Sequence, residues 1–219
     1  LQPEWLGTME LLYTPRRYLQ SALQMNAAYL MQIAPASTLT ACAGFQDGDE
    51  FRWLSRIAYR TRELQNAHPD RGFGTKEREN WEQAPAWQGI RELMEKVLAT
   101  YDWGENFVAG NLVAKIAVDE TLRQLGATGR QFGDPLVSLM ADNQLRDSDR
   151  SRRWSTAVVE FCSTHEGNNA VISGWIEKWM PLARNAIETY CAALPESEGA
   201  ASKAIANVEA FHRSLGVSN

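Results

Sequence analysis

The stretch WQGIRELMEKVLATYDWGENFVAGNLVAKIAVDETL, residues 87–122, decides the fold. Within it Trp87, Ile90, Met94, Val97, Tyr101, Val108, Leu112 and Ile116 recur at three, four or seven residues, the spacing that returns a side chain to one face of an α-helix. Read as one helix at ~1.5 Å per residue, the stretch spans ~50 Å, the length of a bundle helix and not of a compact connector. Neither here nor elsewhere does a run of Val, Ile and Thr alternate with polar residues as a half-buried strand requires. The stretch predicts an all-α bundle, and the remaining sequence reads with the same period.

Toward the N-terminus, Thr14-Pro15 reads as a cap followed by proline at the first helical position, with Leu19, Leu23, Leu30 and Ile33 on one face until Pro35. Ser37 or Thr38 opens a second helix carrying Phe51, Leu54, Ile57, Thr61 and Leu64, which His68-Pro69-Asp70-Arg71-Gly72 ends. A short helix runs from Thr75 to just before Pro85. Toward the C-terminus, Asp134-Pro135 repeats the cap-plus-proline start, and Leu136, Leu139, Asn143, Trp154, Val158 and Phe161 mark the face of another long helix. Asn168 or Asn169 caps the next, in which Pro181 should kink or split the helix at a cost of ~3 kcal/mol. Ser197 to Leu215 reads as a final helix ended by Gly216. With no internal repeat and no Gly-, Ser- or Pro-rich linker, residues 1–219 are expected to form one helical domain; Leu1 in place of Met suggests that an N-terminal segment is missing.

The 27 acidic and 22 basic residues leave a net charge of −5, which gives no electrostatic footprint for nucleic acid or an anionic membrane. Tyr18 to Gln46 carries no charge, but Gln20, Gln24, Asn26, Gln32 and Pro35 interrupt any membrane-length apolar run. Cys42, Cys162 and Cys191 are odd in number and far apart, which fits a reducing, cytoplasmic setting.

Long helices raise the question of a di-iron bundle, which needs a Glu from each of two helices and a Glu-x-x-His pair from each of two more. Residues three apart point the same way, so one turn can offer an oxygen and a nitrogen to one metal. Glu209 and His212 form one such pair, and no second exists. Cys162 and His165 are also three apart, without an identifiable group to orient the imidazole, and Cys162 reads as a core residue. Glu105 occupies an inward slot between Tyr101 and Val108, where a carboxylate needs either a metal or, more simply, an Arg or Lys from a neighbouring helix or subunit. No glycine-rich phosphate loop, His-Glu-x-x-His or Gly-x-Ser-x-Gly motif occurs. Several of the eight tryptophans, Trp87, Trp103, Trp154, Trp175 and Trp179 among them, sit in helices whose apolar width exceeds one stripe, which points to an obligate interface.

Six stretches together resemble one family: Met31-Gln-Ile-Ala-Pro-Ala-Ser-Thr38, Ala58-Tyr-Arg-Thr61, Gly89-Ile-Arg-Glu-Leu-Met-Glu-Lys96, Asp102-Trp-Gly-Glu105, Asn111-Leu-Val113 and Gly174-Trp-Ile-Glu-Lys-Trp179. In that order, spread from Tyr18 to about Tyr190, they resemble the hydroxylase beta subunit of bacterial multicomponent (soluble di-iron) monooxygenases, in the toluene/aromatic and alkene branch. The resemblance implies a ferritin-like (ribonucleotide reductase R2-like) helical subunit that is itself non-catalytic, with no catalytic, cofactor-binding or metal residues of its own. The di-iron centre would lie in a partner alpha subunit, within a hydroxylase of two alpha, two beta and two gamma chains. An effector protein and an NADH-dependent reductase, often with a ferredoxin, would complete a system that hydroxylates aromatic hydrocarbons such as toluene. Asp102, Trp103 and Glu105 are expected to form a structural or interface cluster, with Trp175 and Trp179 as packing anchors. The alternatives are the beta subunit of an alkene or isoprene monooxygenase, a self-sufficient di-iron enzyme using Glu105, Glu209 and His212, and a helical adaptor unrelated to oxygenation.

Overall fold

The computed structural model describes residues 1–196 and 198–217, and among these it holds helices and no strand. In chain order they are α1 (Pro3–Thr8), a π-helical turn (Met9–Tyr13), α2 (Arg16–Gln32), α3 (Ser37–Ala67), α4 (Glu77–Gln83) and α5 (Pro85–Leu98). There follow α6 (Trp103–Phe107), a second π segment (Val108–Ala114), α7 (Lys115–Gln131), α8 (Pro135–Cys162), α9 (Asn168–Cys191) and α10 (Ala200–Ser214). The pairs α2–α3 and α7–α8 lie side by side, α3 also touches α8, and these four form a bundle. Helices α5 and α9 pair with each other and pack on the second π segment and α7, and α10 closes over α7 and α9.

Residues 87–122 do not form one helix. Helix α5 stops at Leu98, and the chain turns and restarts at Asp102, whose carboxylate accepts a hydrogen bond from the Glu105 backbone N–H at 2.8 Å. An Asp two residues after Thr100 favours this local bond over continuation of the ladder. Tyr101, expected on the inward face, is therefore 86% exposed at the break. From Trp103 to Gln131 the helical backbone then runs on through the second π segment without interruption.

Three starts differ from expectation. Thr14 is no cap, because helix already precedes it, and its hydroxyl donates back to the Glu10 carbonyl at 3.3 Å. Helix α3 follows Ala36, and α9 follows Gly167 at φ 86°, each without a side-chain cap. Asn168 instead donates from its amide to the Cys162 carbonyl at 3.0 Å. Asp134 does cap α8, accepting from the Val137 N–H at 3.2 Å and from Trp5 Nε1 at 2.9 Å. Pro181 does not split α9: it and Glu177, whose carbonyl loses its helical donor, both lie on the exposed side of the helix. Ser197 lies outside the described residues; the last helix runs from Ala200 and ends as expected before Gly216 at φ 67°.

Packing draws on two layers of contacts. Trp87, Ile90, Met94 and Val97 of α5 are buried against α9, where Gly89 permits backbone contact: a Cβ there would stand 2.8 Å from the Ala186 Cα and the Asn185 carbonyl. Between α7 and α8, Gly126 makes room for the Ala141 side chain, whose Cβ would stand 2.8 Å from a Cβ at that position. Most buried apolar side chains join one continuous cluster that includes Trp5, Met9, Trp87 and Tyr190. Among the described residues, no helix is long and apolar enough to cross a membrane.

Candidate functional site

The restart at Asp102 assembles the cluster expected from the sequence. Trp103 stacks on Phe107 with ring centroids 5.3 Å apart, and its indole N–H donates to the Leu30 carbonyl at 3.1 Å, tying α6 to the end of α2. Gly104 leaves room for Trp175, since a Cβ would lie 3.2 Å from its ring. Glu105 Oε1 accepts from Lys178 Nζ at 2.6 Å and from Trp179 Nε1 at 3.0 Å, so its counter-charge comes from α9. Trp179 is buried and Trp175 half-buried. Asp102, Glu105, Trp175 and Trp179 thus lie at the junction of α6 and α9, whereas Trp103 turns toward Phe107 and the end of α2. Glu105 is engaged through one oxygen, with a lysine of α9 as its counter-charge.

The Glu-x-x-His pair behaves differently. Glu209 pairs with Arg184 of α9, and His212 Nε2 lies 2.7 Å from the Leu112 carbonyl in the second π segment, so this nitrogen carries the proton. Burial pushes the imidazole below its ordinary pKa. Glu209 and His212 line one cleft beside α9, Glu105 another, and the three do not converge. His165 Nδ1 lies 3.0 Å from the Thr164 hydroxyl and is exposed. Cys162 is half-buried against the core.

Sequence reasoning missed the centre of the bundle. Lys115 of α7 is 3% exposed and holds its ammonium 2.8 Å from Asp119 Oδ1, 3.3 Å from Glu50 Oε1 of α3 and 2.7 Å from Ser148 Oγ of α8. Ser148 in turn donates to Asp119 at 2.9 Å, and Arg152 reaches the other Asp119 oxygen at 3.1 Å. Gln20 of α2 donates to Glu50 and accepts from Gln144, so all four helices contribute. Burial pushes the Glu50 carboxyl above its ordinary range, an effect that Lys115 only partly offsets. For Asp119 burial acts in the same sense, but Lys115 and Arg152 outweigh it and hold the carboxyl low. Burial lowers the Lys115 ammonium, while Asp119 and Glu50 more than restore it. One level away, Gln46 and Asn111 exchange two amide hydrogen bonds of 3.1 Å, and Asn111 also donates to Ser155 Oγ. The available signal was a lysine and an aspartate four apart inside the apolar run Leu112 to Val118 and its continuation.

These residues do not fit a di-iron centre. The bundle centre presents oxygens to an ammonium, none of the three histidines takes part in its hydrogen bonds, and among the described residues no group of three or more His, Cys, Asp and Glu is placed to hold a metal ion.

A second apolar face lies outside the bundle. Phe45, Phe51 and Tyr59 on α3 are 67%, 60% and 70% exposed, on the side opposite the buried Ala43, Glu50, Trp53, Ile57 and Leu64. The stripe Leu136, Leu139 and Phe161 of α8, expected inward, is exposed too, because the buried side of α8 is Val137, Ala141, Ser148, Ser151, Ser155 and Val159. Phe51, Tyr59, Leu136 and Met140 line one groove together with Arg52, Arg56 and Arg60.

A family model described as methane/phenol/alkene hydroxylase matches residues 1–166. The chain is 49% identical over 191 residues to the hydroxylase component subunit beta of the toluene-4-monooxygenase system of Ectopseudomonas mendocina, covering 87% of this chain and 58% of that protein. A solved structure of toluene 4-monooxygenase with toluene in its resting active site contains a chain 48% identical, with a TM-score of 0.87 over 89% of this chain and 65% of that one. Phenol hydroxylase from Pseudomonas sp. OX1 shares the fold, with a TM-score of 0.81 at 24% identity over 99% of this chain and 66% of that one. The chain thus spans about three fifths of the length of the toluene 4-monooxygenase relatives it matches. With its all-helical architecture, and a family model that covers well over half of its length, the chain belongs to the methane/phenol/alkene hydroxylase family.

Proposed function

We propose that the chain is the beta subunit of the hydroxylase component of an NADH-dependent multicomponent monooxygenase acting on aromatic hydrocarbons such as toluene. The carrying observation is the 49% identity to the beta subunit of the toluene-4-monooxygenase hydroxylase, which favours the aromatic over the alkene branch. In this reading the chain is a single helical, cytoplasmic subunit that takes no part in the chemistry. Oxygen activation belongs to an iron-bearing alpha partner, gamma chains complete the hydroxylase, and an effector protein and a reductase with its ferredoxin serve it. The beta chain holds the alpha bundle in shape.

Its own residues support a docking role. The outer faces of α3 and α8 leave Phe51, Tyr59 and Leu139 more than half exposed, and such apolar surface in water favours a permanent partner. Asp102, Trp103, Glu105, Trp175 and Trp179 would brace the chain at the opposite junction of α6 and α9. Coexpression with alpha and gamma chains tests the reading: the chain should copurify in a fixed ratio with an iron-containing hydroxylase. Phe51→Glu combined with Leu139→Glu should abolish copurification while leaving the helical circular dichroism of the chain unchanged. Failure of the unaltered chain to copurify would overturn the assignment.

A further inference from the structure

We infer that the centre of the bundle is a cation site whose occupant is the chain's own Lys115 ammonium, and that this ammonium keeps metal ions out. The inference deepens the proposed function, resting on the reading that the chain holds no metal of its own.

The geometry is that of a coordination shell around a nitrogen. Three oxygens from three helices, Asp119 Oδ1, Glu50 Oε1 and Ser148 Oγ, surround Nζ at 2.8, 3.3 and 2.7 Å. Of the three ammonium hydrogens, Asp119 and Ser148 accept two as hydrogen bonds, and Glu50 stands beside the nitrogen at ion-pair distance. Glu50 and Asp119 are 3% and 0% exposed, so each needs a positive charge that solvent does not supply. Hard divalent cations draw carboxylate oxygens in to ~2.0–2.6 Å, so a metal would have to pull these oxygens inward, whereas the ammonium fills the cage as it stands. The outer bonds are also committed: Gln20 donates to Glu50, Arg152 to Asp119, and Ser148 to Asp119. A metal entering the unaltered chain would have to expel Lys115 from among side chains that are at most 3% exposed. The donors left without Lys115 are all oxygens, which select a hard cation such as Mn(II).

The test uses the full chain with Mn(II) as probe, read by metal analysis after desalting, by electron paramagnetic resonance and by Tm. The unaltered chain should retain no Mn(II), and its Tm should not respond to the ion. Lys115→Ala should lose roughly 10 °C in Tm, retain about one Mn(II) per chain and regain Tm when Mn(II) is present. Lys115→Met, which refills the cage with an uncharged side chain, should lose Tm without retaining Mn(II). Adding Glu50→Gln to Lys115→Met should recover most of that loss, because one uncompensated carboxylate is removed. Mn(II) bound by the unaltered chain would count against both this inference and the metal-free reading. A Lys115→Ala chain that folds and ignores Mn(II), stays insoluble with and without it, or binds it no better than Lys115→Met would overturn the inference alone, as would a double variant no more stable than Lys115→Met.

Discussion

Lys115 and Lys178 each hold a carboxylate at short range, 2.8 Å to Asp119 and 2.6 Å to Glu105, yet the two pairs do different work. The Lys115 and Asp119 side chains are 3% and 0% exposed, in the middle of four helices, whereas Lys178 is 62% and Glu105 18% exposed at the rim of α9. A rim pair gains little because water already solvates its charges and salt screens them. A buried pair adds little net stability relative to an apolar core, but breaking it strands a charge that nothing else can solvate. Distance alone would rank the two pairs the wrong way round. Burial and the number of helices engaged decide what each contributes.

The comparison breaks most readily on paired substitutions. Lys115→Met should cost about 3–5 kcal/mol in urea unfolding, against under ~1 kcal/mol for Lys178→Met. Equal losses would mean that the bundle centre is wetter than its burial indicates.

A smaller effect sharpens the comparison through pH. His212 is held uncharged by burial, so its folded pKa lies below the ordinary 6.5. The unfolded chain then takes up the proton first, and the stability His212 contributes above pH 6.5 is lost as pH falls through the folded pKa. Replacing it in His212→Gln, which can still donate to the Leu112 carbonyl, should flatten the fall in Tm on acidification just below pH 6.5. Asp119, with a lowered pKa, contributes stability that persists to lower pH and is lost only below 3.8. Glu50 has the opposite sign: its raised pKa means a contribution lost as pH rises above 4.5. Glu50→Gln should therefore make stability less dependent on pH above that point, visible as a smaller drop in Tm between acid and neutral solution.

The smallest effect belongs to the rim. Glu105→Ala should change the stability of the chain by less than ~1 kcal/mol, while weakening its retention in a coexpressed hydroxylase and leaving the iron of that complex in place. Size-exclusion chromatography with metal analysis separates these outcomes. An intact complex without iron would contradict the role given to Glu105.

What was legible in the sequence follows the same division. The cap at Asp134, the breaks at Gly72 and Gly216 and the buried positions Leu19, Leu23, Leu30, Ile57, Thr61 and Leu64 are local or periodic signals, and the structure places them as read, whereas Ile33 and Phe51, read on the same faces, are exposed and Leu54 is half-buried. Asp102, Trp103, Glu105, Trp175 and Trp179 stood out in the sequence because aromatic residues and a carboxylate lie close together in two short stretches; the structure gathers Glu105 with Trp179 but sends Trp103 to α2. The helix break at Ala99 to Asp102 was hidden because a turn of four residues preserves the count that periodicity relies on. The face of α8 was misassigned for a physical reason. Its buried side is lined by Ser148, Ser151 and Ser155, which are small enough for close packing, and two of them bond to Asp119 and Asn111 across the bundle. The larger Leu136, Leu139 and Phe161 carry the stronger apolar pattern on the outside. Lys115 was missed because its partners Glu50 and Ser148 lie on other helices, and only tertiary packing brings them together.

The most direct measurement is iron per chain, by elemental analysis, on this polypeptide expressed alone and again with its alpha and gamma partners. A chain without iron when alone, copurifying with a hydroxylase whose iron tracks the alpha chain, is the predicted result. Stoichiometric iron in the isolated chain would contradict it.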